Sequence, residues 1–268
     1  MPAKIDVLKI KRLLIFTMLV TACLMAHAQN PVVNQSTEYI DKLLLRVDEL
    51  KISDPDNFSL KMQELQSLRD QADQSQLEFI RYFEIYKWVA QGDLEKAEIE
   101  FDKLFEQVED VLVKIRIKLT LANMQAISRE YNQALLNLDY AITQIENHSN
   151  KVIRSKVNFV TANVYYLLDI YEMSIKYAEL VIKDALNDMY MCKANAVKLG
   201  SKFKSGLGGE QGKVHKIITL CRENNQLGYA LNLTLDWIKN EFLVSEEQGD
   251  LSNIKKFKKL QRIWMLTL

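Results

Sequence analysis

Histidines and a glycine-rich segment are the first residues of this sequence that could do chemistry. Outside the N-terminal segment the histidines are His148 and His215, and neither belongs to a His, Cys and carboxylate cluster with metal-ligand spacing. The segment Gly206–Lys213 invites comparison with a phosphate-binding loop, but Val214 stands where Ser or Thr should coordinate magnesium. No nucleophile, base and acid can be grouped from the sequence. We therefore expect no catalytic residue, no metal site and no cofactor.

Two cysteines, Cys192 and Cys221, could form a disulfide. They flank the glycine-rich turn at 206–209 almost symmetrically, so they would stand at similar heights in an antiparallel helical hairpin. Closing a loop of about 30 residues would stabilise the fold by roughly 3–4 kcal/mol on the chain-entropy model. However, packed helix axes lie about 8–10 Å apart, whereas a disulfide requires Cα atoms within about 7 Å. The sequence leaves both a disulfide and two buried free thiols open.

The composition favours a chain made mostly of helices. Only 8 Gly and 3 Pro interrupt its 268 residues, which is few for a β-sandwich or a doubly wound α/β fold. Lys+Arg and Asp+Glu are balanced at 35 each, so nothing in the bulk charge attracts nucleic acid.

The N-terminal segment 1–28 has the pattern of an export signal. Basic residues precede an apolar run over Leu13–Met25, and Ala26-His27-Ala28 fits the small-x-small cleavage site. The run is shorter than the ~20 residues of a membrane-spanning helix. We expect a signal peptide over 1–28, a short linker over 29–35 and a periplasmic mature protein. The alternative is a lipoprotein anchored at Cys23, because the residues from Val20 resemble a lipobox.

Apolar residues beyond position 35 recur at helical spacing, and no segment has the alternation of a strand. One stripe comprises Tyr39, Leu43, Leu44, Val47 and Leu50. A second, capped by Asp54 and Pro55, comprises Phe58, Leu60, Met62, Leu65 and Leu68. Further helices are predicted over 76–91, 94–108, 111–129, 131–147, 151–168, 171–184, 188–204, 211–224, 227–247 and 251–265. The sequence predicts an all-α fold over 36–268.

Short turns between these helices repeat along the chain. The turns are Gly92–Ala97, Arg129–Ala134, Asp169–Ser174, the weaker Gly209–Val214, and Gly249–Ile254. Their last residues fall at 97, 134, 174, 214 and 254, which gives a period of 37 and then 40. Small residues, Ala122 and Ala162, precede two of the turn ends by twelve positions.

This pattern resembles the tetratricopeptide repeat (TPR) family, whose turns read Gly-Asp/Asn-Tyr/Phe-x-x-Ala. The resemblance covers 75–184 clearly and 188–266 loosely, with units longer than the usual repeat of about 34 residues. It implies an α-solenoid of five or six antiparallel helical hairpins, in which small residues let paired helices approach closely.

A narrower resemblance is to the exported N-terminal half of gammaproteobacterial diguanylate cyclases. Those chains carry a signal peptide, TPR-like helices, a membrane segment and a cytoplasmic GGDEF domain. No Gly-Gly-Asp/Glu-Glu-Phe sequence occurs in these 268 residues. The resemblance implies the sensory input half of a longer signalling protein, with association with the inner membrane in that parent. The alternative is a free-standing periplasmic adaptor or lipoprotein that scaffolds an envelope complex.

A ligand-binding groove is predicted on the first helices of the hairpins, because a stack of hairpins places them on its concave side. Asn123 and Asn163 occupy equivalent places 40 residues apart and could hydrogen-bond an extended peptide backbone. Arg116 and Lys156 are also equivalent and could bind a carboxylate. The predicted groove consists of Tyr82, Tyr86, Arg116, Asn123, Lys156, Asn163 and Tyr166. We expect a peptide, a protein or a small acidic ligand as the partner. The alternative is that the aromatic residues are core and the polar ones solvated.

A basic run near the end of the chain also has two interpretations. Lys255, Lys256, Lys258, Lys259 and Arg262 form either a solvated helix face or a contact with anionic lipid headgroups.

Overall fold

The computed structural model describes residues 37–146, 150–184, 186–209 and 211–247, and no strand occurs among them. The predicted signal peptide, Cys23, the linker and the helix over 251–265 lie outside the described residues. A 3₁₀ turn, Arg69–Gln71, follows the second helix. The helices are α1 over 37–53, α2 Pro55–Ser67, α3 Gln74–Gln91, α4 Leu94–Gln107, α5 Val111–Ile127, α6 Tyr131–Glu146, α7 Lys151–Leu167, α8 Tyr171–Asp184, α9 Asp188–Lys204, α10 Gln211–Glu223 and α11 Leu227–Glu247.

The all-α prediction is confirmed, and the predicted helix bounds within the described ranges agree to within a few residues. Two residues of the predicted apolar stripes do not belong to the core. Tyr39 is 47% exposed and Leu60 is 60% exposed. Tyr39 instead donates a hydrogen bond to Glu64 at the surface. Because both residues are of apolar type, the sequence pattern could not distinguish them from the buried residues on the same helices.

The described chain forms two compact units, which divide after Gly92. Unit 1 contains α1, α2 and α3 and encloses a core that includes Val47, Phe58 and Met62. Two N-caps fix where its helices begin. The Asp54 side chain accepts from the backbone of Asn57, and Asp73 forms a capping box with Gln76.

Unit 2 contains α4–α11, and consecutive helices pack against each other. The most extensive contacts are those of α5 with α6, α7 with α8 and α8 with α9, and α10 packs against both α9 and α11. Helices α5, α7, α9 and α11 also lie side by side, each against the next. We call these four helices the first-helix row. Within the described residues, no helix is both long enough and apolar enough to cross a membrane.

Three helices of the first-helix row, α5, α7 and α9, each have 17 residues because they begin and end by the same local chemistry. The residues Asp110, Asn150 and Asn187 cap the starts of α5, α7 and α9 with a side-chain oxygen. Nineteen residues after each cap, the chain adopts a positive φ, at Arg129 (67°), Asp169 (60°) and Gly206 (75°). The left-handed residue ends the helix and turns the chain back. Equivalent side chains therefore stand at the same height along neighbouring helices.

Small residues let neighbouring helices of unit 2 approach closely. Ala162 of α7 and Ala178 of α8 are fully buried in one apolar cluster. The Ser174 hydroxyl of α8 donates to the carbonyl oxygen of Ala162 at 2.8 Å, and the Ser201 hydroxyl of α9 donates to Ser174 at 2.8 Å. These hydrogen bonds link α7, α8 and α9 through side chains no longer than serine. A larger residue at these positions would push the helices apart.

A disulfide joins Cys192 of α9 to Cys221 of α10, with their Cα atoms 5.0 Å apart. Of the two alternatives that the sequence leaves open, the structure has the disulfide. The bridge lies in an apolar cluster of α9, α10 and α11 that includes Ala196, Val214 and Trp237. Both cysteines are fully buried, so the bridge is part of the core of this hairpin.

We predict that the double variant Cys192→Ser/Cys221→Ser loses about 3–4 kcal/mol of unfolding free energy. The bridge spans 29 residues, and removing it restores conformational entropy to the unfolded chain. Urea unfolding followed by circular dichroism measures the loss. Reductant should bring the wild type to the stability of the variant and leave the variant unchanged. Equal unfolding midpoints for oxidised wild type and variant would contradict the disulfide.

Candidate functional site

Tyr82 and Tyr86 of the predicted groove lie in the aromatic core of unit 1. Tyr82 is only 1% exposed, so its ring is a core residue and not an accessible groove residue. The Lys51 ammonium donates to the Tyr82 hydroxyl at 2.9 Å and lies 4.6 Å from the centroid of the Tyr86 ring. Asp48 balances the charge of Lys51 at 3.0 Å. The partly buried Lys51 therefore packs against the rings of both tyrosines.

Asn123 of α5 and Asn163 of α7 contact each other across the first-helix row. The Asn163 Nδ2 atom donates to the Asn123 Oδ1 atom at 2.8 Å. Each asparagine lies thirteen residues after the cap of its helix, Asp110 or Asn150, which is why the amides meet. Both side chains are half-buried. Within the described part of the chain, the Asn123 Nδ2 group and the Asn163 Oδ1 atom have no further hydrogen-bond partner, so the pair presents one donor and one acceptor.

The two predicted cationic residues of the groove differ in accessibility. Arg116 is only 7% exposed, whereas Lys156 is half-buried. Each has an interaction within the protein. Because Arg116 is buried, little of its guanidinium is accessible to a carboxylate ligand. The side-chain amides of Asn123 and Asn163 are therefore more accessible to a ligand than the guanidinium of Arg116.

Tyr166 of α7 reaches across α9 to α11, where its hydroxyl donates a hydrogen bond to the Asp236 carboxylate. Gly200 of α9 lies beneath this hydrogen bond. A Cβ atom at Gly200 would stand 2.7 Å from Asp236 Oδ2 and 3.2 Å from Tyr166 Cε2. Gly200 is thirteen residues after Asn187, so it occupies the place that the asparagines occupy on α5 and α7. On α9, Gly200 therefore has no amide side chain at this position, and the Tyr166–Asp236 pair occupies the space that such a side chain would need.

The electrostatics of this pair follow from its burial. Burial and the hydrogen bond to Asp236 raise the pKa of Tyr166 well above its usual range. Burial raises the pKa of Asp236, although the hydrogen bond from Tyr166 opposes the shift. The Lys204 ammonium lies 4.1 Å from the centroid of the Tyr166 ring and so places a positive charge beside the buried carboxylate. These contacts hold three helices of the row together, and they occupy Tyr166 within the protein.

Sequence reasoning missed Gly200, Asp236 and Lys204. Gly200 carried a usable signal, because glycine inside a long helix costs about 1 kcal/mol relative to alanine and usually has a packing reason. Asp236 carried none, since an acidic residue on a helix is ordinary until its neighbours are known. Among the described residues, no three His, Cys, Asp or Glu side chains are grouped as metal ligands would be.

We predict that Gly200→Ala destabilises the protein by about 1–3 kcal/mol, because the new methyl group displaces Tyr166 or Asp236. The control is Gly228→Ala, a helical glycine of α11 whose added Cβ would meet no atom within 4 Å. Alanine favours helix there, so that variant should be as stable as the wild type or up to about 1 kcal/mol more stable. Thermal and urea unfolding measure both. Equal stability of the two variants would mean that no close approach exists at Gly200.

We predict that Tyr86 makes the stability of the protein fall between about pH 10 and pH 12. Burial raises the pKa of Tyr86 to about 12, whereas an unfolded tyrosine ionises near pH 10. The raised pKa contributes stability below about pH 10, and this contribution is lost as the pH rises through the folded value, by at most about 1.4 kcal/mol per pH unit. Tyr86→Phe should flatten the alkaline decline in urea-unfolding free energy, whereas Tyr131→Phe at an exposed position should not. Parallel declines in all three proteins would refute the assignment.

Comparison with known proteins does not assign the chain to a family. No family model matches the sequence, and no curated protein and no solved structure is significantly similar to it.

Proposed function

We propose that this protein is a non-catalytic binding module that holds an extended peptide segment against the first-helix row at α5 and α7. The observation that carries the proposal is the amide pair Asn123–Asn163, which leaves one donor and one acceptor on a half-buried surface. An extended peptide backbone presents the matching acceptor and donor at every residue.

The chemistry of the surrounding surface favours a peptide over a small acidic ligand. A small anion would need accessible cations, and Arg116 is almost fully buried. Lys156 is half-buried and lies seven residues, about two helical turns, before Asn163 on the same helix. A peptide that crosses the amide pair would have Lys156 beside it, where an acidic side chain or a terminal carboxylate could approach.

Export is part of this proposal, and the disulfide supports it. Disulfides form and persist in oxidising compartments such as the bacterial periplasm. A buried Cys192–Cys221 bridge is consistent with the signal-like segment over 1–28. In this setting the module would serve as the sensory input of a longer signalling protein of the diguanylate-cyclase type. The same surface would also serve a free-standing envelope adaptor or lipoprotein.

Panning a random peptide library on the purified, oxidised protein tests the proposal. We predict that enriched peptides bind the double variant Asn123→Ala/Asn163→Ala about 5–150-fold more weakly, which corresponds to about 1–3 kcal/mol for lost hydrogen bonds. Isothermal titration calorimetry with the enriched peptides measures the affinity.

The matched control is Asn195→Ala. Asn195 is a half-buried asparagine of α9 whose side chain bonds its own helix, at the carbonyl oxygen of Met191. Circular dichroism must show that both variants are folded at the titration temperature. Undiminished affinity in the folded double variant, or an equal loss in Asn195→Ala, would contradict binding at the amide pair.

A further inference from the structure

Three aromatic side chains from three helices of the first-helix row meet beside one lysine. They are Phe159 of α7, Tyr190 of α9 and Tyr229 of α11, and we call them the aromatic cluster. The ring centroid of Phe159 lies 6.4 Å from that of Tyr190 and 5.7 Å from that of Tyr229, and both contacts are edge-to-face. The Lys193 ammonium lies 5.9 Å from the Phe159 centroid and 6.0 Å from each tyrosine centroid.

Two rings of the aromatic cluster are partly accessible. Tyr190 is only 8% exposed, whereas Phe159 and Tyr229 are half-buried, as is Lys193. Phe159 and Tyr229 pack against a buried apolar cluster that includes Val197 of α9. The core therefore holds both rings in place while part of each ring remains in contact with solvent, next to a positive charge.

The aromatic cluster lies about one helical turn from the amide pair. Phe159 precedes Asn163 on α7 by four residues, which is about 6 Å along the helix axis and on the same face. An extended chain rises about 3.3 Å per residue, so two residues of a bound peptide cover this distance. In the other direction along α7, the Tyr166 side chain is bonded to Asp236. A peptide that leaves the amide pair toward the start of α7 passes the aromatic cluster.

The chemistry of the aromatic cluster discriminates between the side chains of such a peptide. A basic side chain would meet the like charges of Lys193 and Lys156. An aliphatic side chain would bury the Lys193 ammonium without an electrostatic contact in return, and a carboxylate would lose water against the rings. An aromatic side chain fits both parts, because its ring packs edge-to-face with Phe159 and its π-face attracts the ammonium.

We propose that the aromatic cluster is a specificity subsite for an aromatic side chain of the bound peptide, about two residues from the residue that the amide pair holds. This inference rests on the proposed peptide binding at Asn123 and Asn163 and adds to it the class of peptide that is bound. The amides hold the peptide backbone, which every sequence provides, and the aromatic cluster selects one side chain.

Panning a library of random linear heptapeptides on the wild type and on Phe159→Leu tests the subsite. On the wild type we expect Phe, Tyr and Trp to be enriched at one position of the aligned binders, and on Phe159→Leu we expect this enrichment to disappear. Leucine keeps an apolar side chain of similar size in the core. Peptides selected on the wild type should bind Phe159→Leu about 2–12-fold more weakly in isothermal titration calorimetry, the usual strength of an aromatic pair.

Exchange of the selected aromatic residue of the peptide for leucine completes the test. This peptide should bind the wild type about 2–12-fold more weakly than its parent, but the two peptides should bind Phe159→Leu equally, because the aromatic contact is already lost there. Tyr229→Leu is the second variant and should give the same pattern, so that a folding defect in one variant does not decide the result. Circular dichroism establishes which variants are folded.

The matched control is Phe105→Leu. Phe105 of α4 is also half-buried, its ring centroid lies 5.3 Å from that of Tyr140 of α6, and the Lys118 ammonium lies 4.2 Å from it. Phe105 thus has the same kinds of aromatic and cationic contact, but it belongs to a helix outside the first-helix row. Its replacement should change neither the affinity nor the aromatic preference.

The possible outcomes separate the subsite from the proposed function. Enriched peptides that depend on Asn123 and Asn163 but have no aromatic preference would overturn the subsite and leave the peptide binding in place. An aromatic preference that persists in folded Phe159→Leu and Tyr229→Leu, or an equal loss in Phe105→Leu, would also overturn the subsite. If no peptide is enriched on the wild type, both the subsite and the peptide binding are overturned.

Discussion

Close approach of neighbouring helices at small side chains is the constraint on which unit 2 depends. The Ser174 hydroxyl can reach the carbonyl oxygen of Ala162 only because neither residue holds the backbones of α7 and α8 apart. The disulfide between α9 and α10 needs the same proximity, with Cα atoms 5.0 Å apart. At Gly200 the requirement is strictest, because even a methyl group would meet Asp236. The approach at Gly200 sets the spacing of α7, α9 and α11 within the first-helix row.

The common register of the row converts this spacing into a surface. Helices that begin with a capped residue and end nineteen residues later at a positive φ bring equivalent positions to equal height. The thirteenth residue after the cap is an asparagine on α5 and on α7, and the two side chains form a hydrogen bond. On α9 the equivalent residue is a glycine. The polar character of the row therefore changes along it, from an amide pair with spare hydrogen-bonding capacity to a closed tyrosine–aspartate contact. The amide pair is the binding surface that we propose, whereas the tyrosine–aspartate contact fixes the helices.

Periodicity and turn chemistry predicted most of the fold, because local sequence determines where these helices begin and end. Asp110 and Asn150 are caps by residue type, and the regular turns gave the register that makes Asn123 and Asn163 equivalent. The sequence could not indicate that the two amides contact each other, since their distance depends on how closely α5 and α7 pack. The same is true of Arg116, whose position suggested a ligand-facing cation but whose side chain is buried. Tyr166 was predicted as a groove residue without Asp236, because a partner seventy residues away has no local signature.

The contact between Asn123 and Asn163 reflects the register of the first-helix row and forms the proposed binding surface, and a double-mutant cycle measures that contact without any ligand. The unfolding free energies of the wild type, Asn123→Ala, Asn163→Ala and the double variant give the coupling energy between the two amides. We expect a favourable coupling of about 0.5–1.5 kcal/mol, the usual net contribution of one hydrogen bond. Additive effects, with a coupling indistinguishable from zero, would show that the amides do not meet in solution and would contradict the register of the first-helix row.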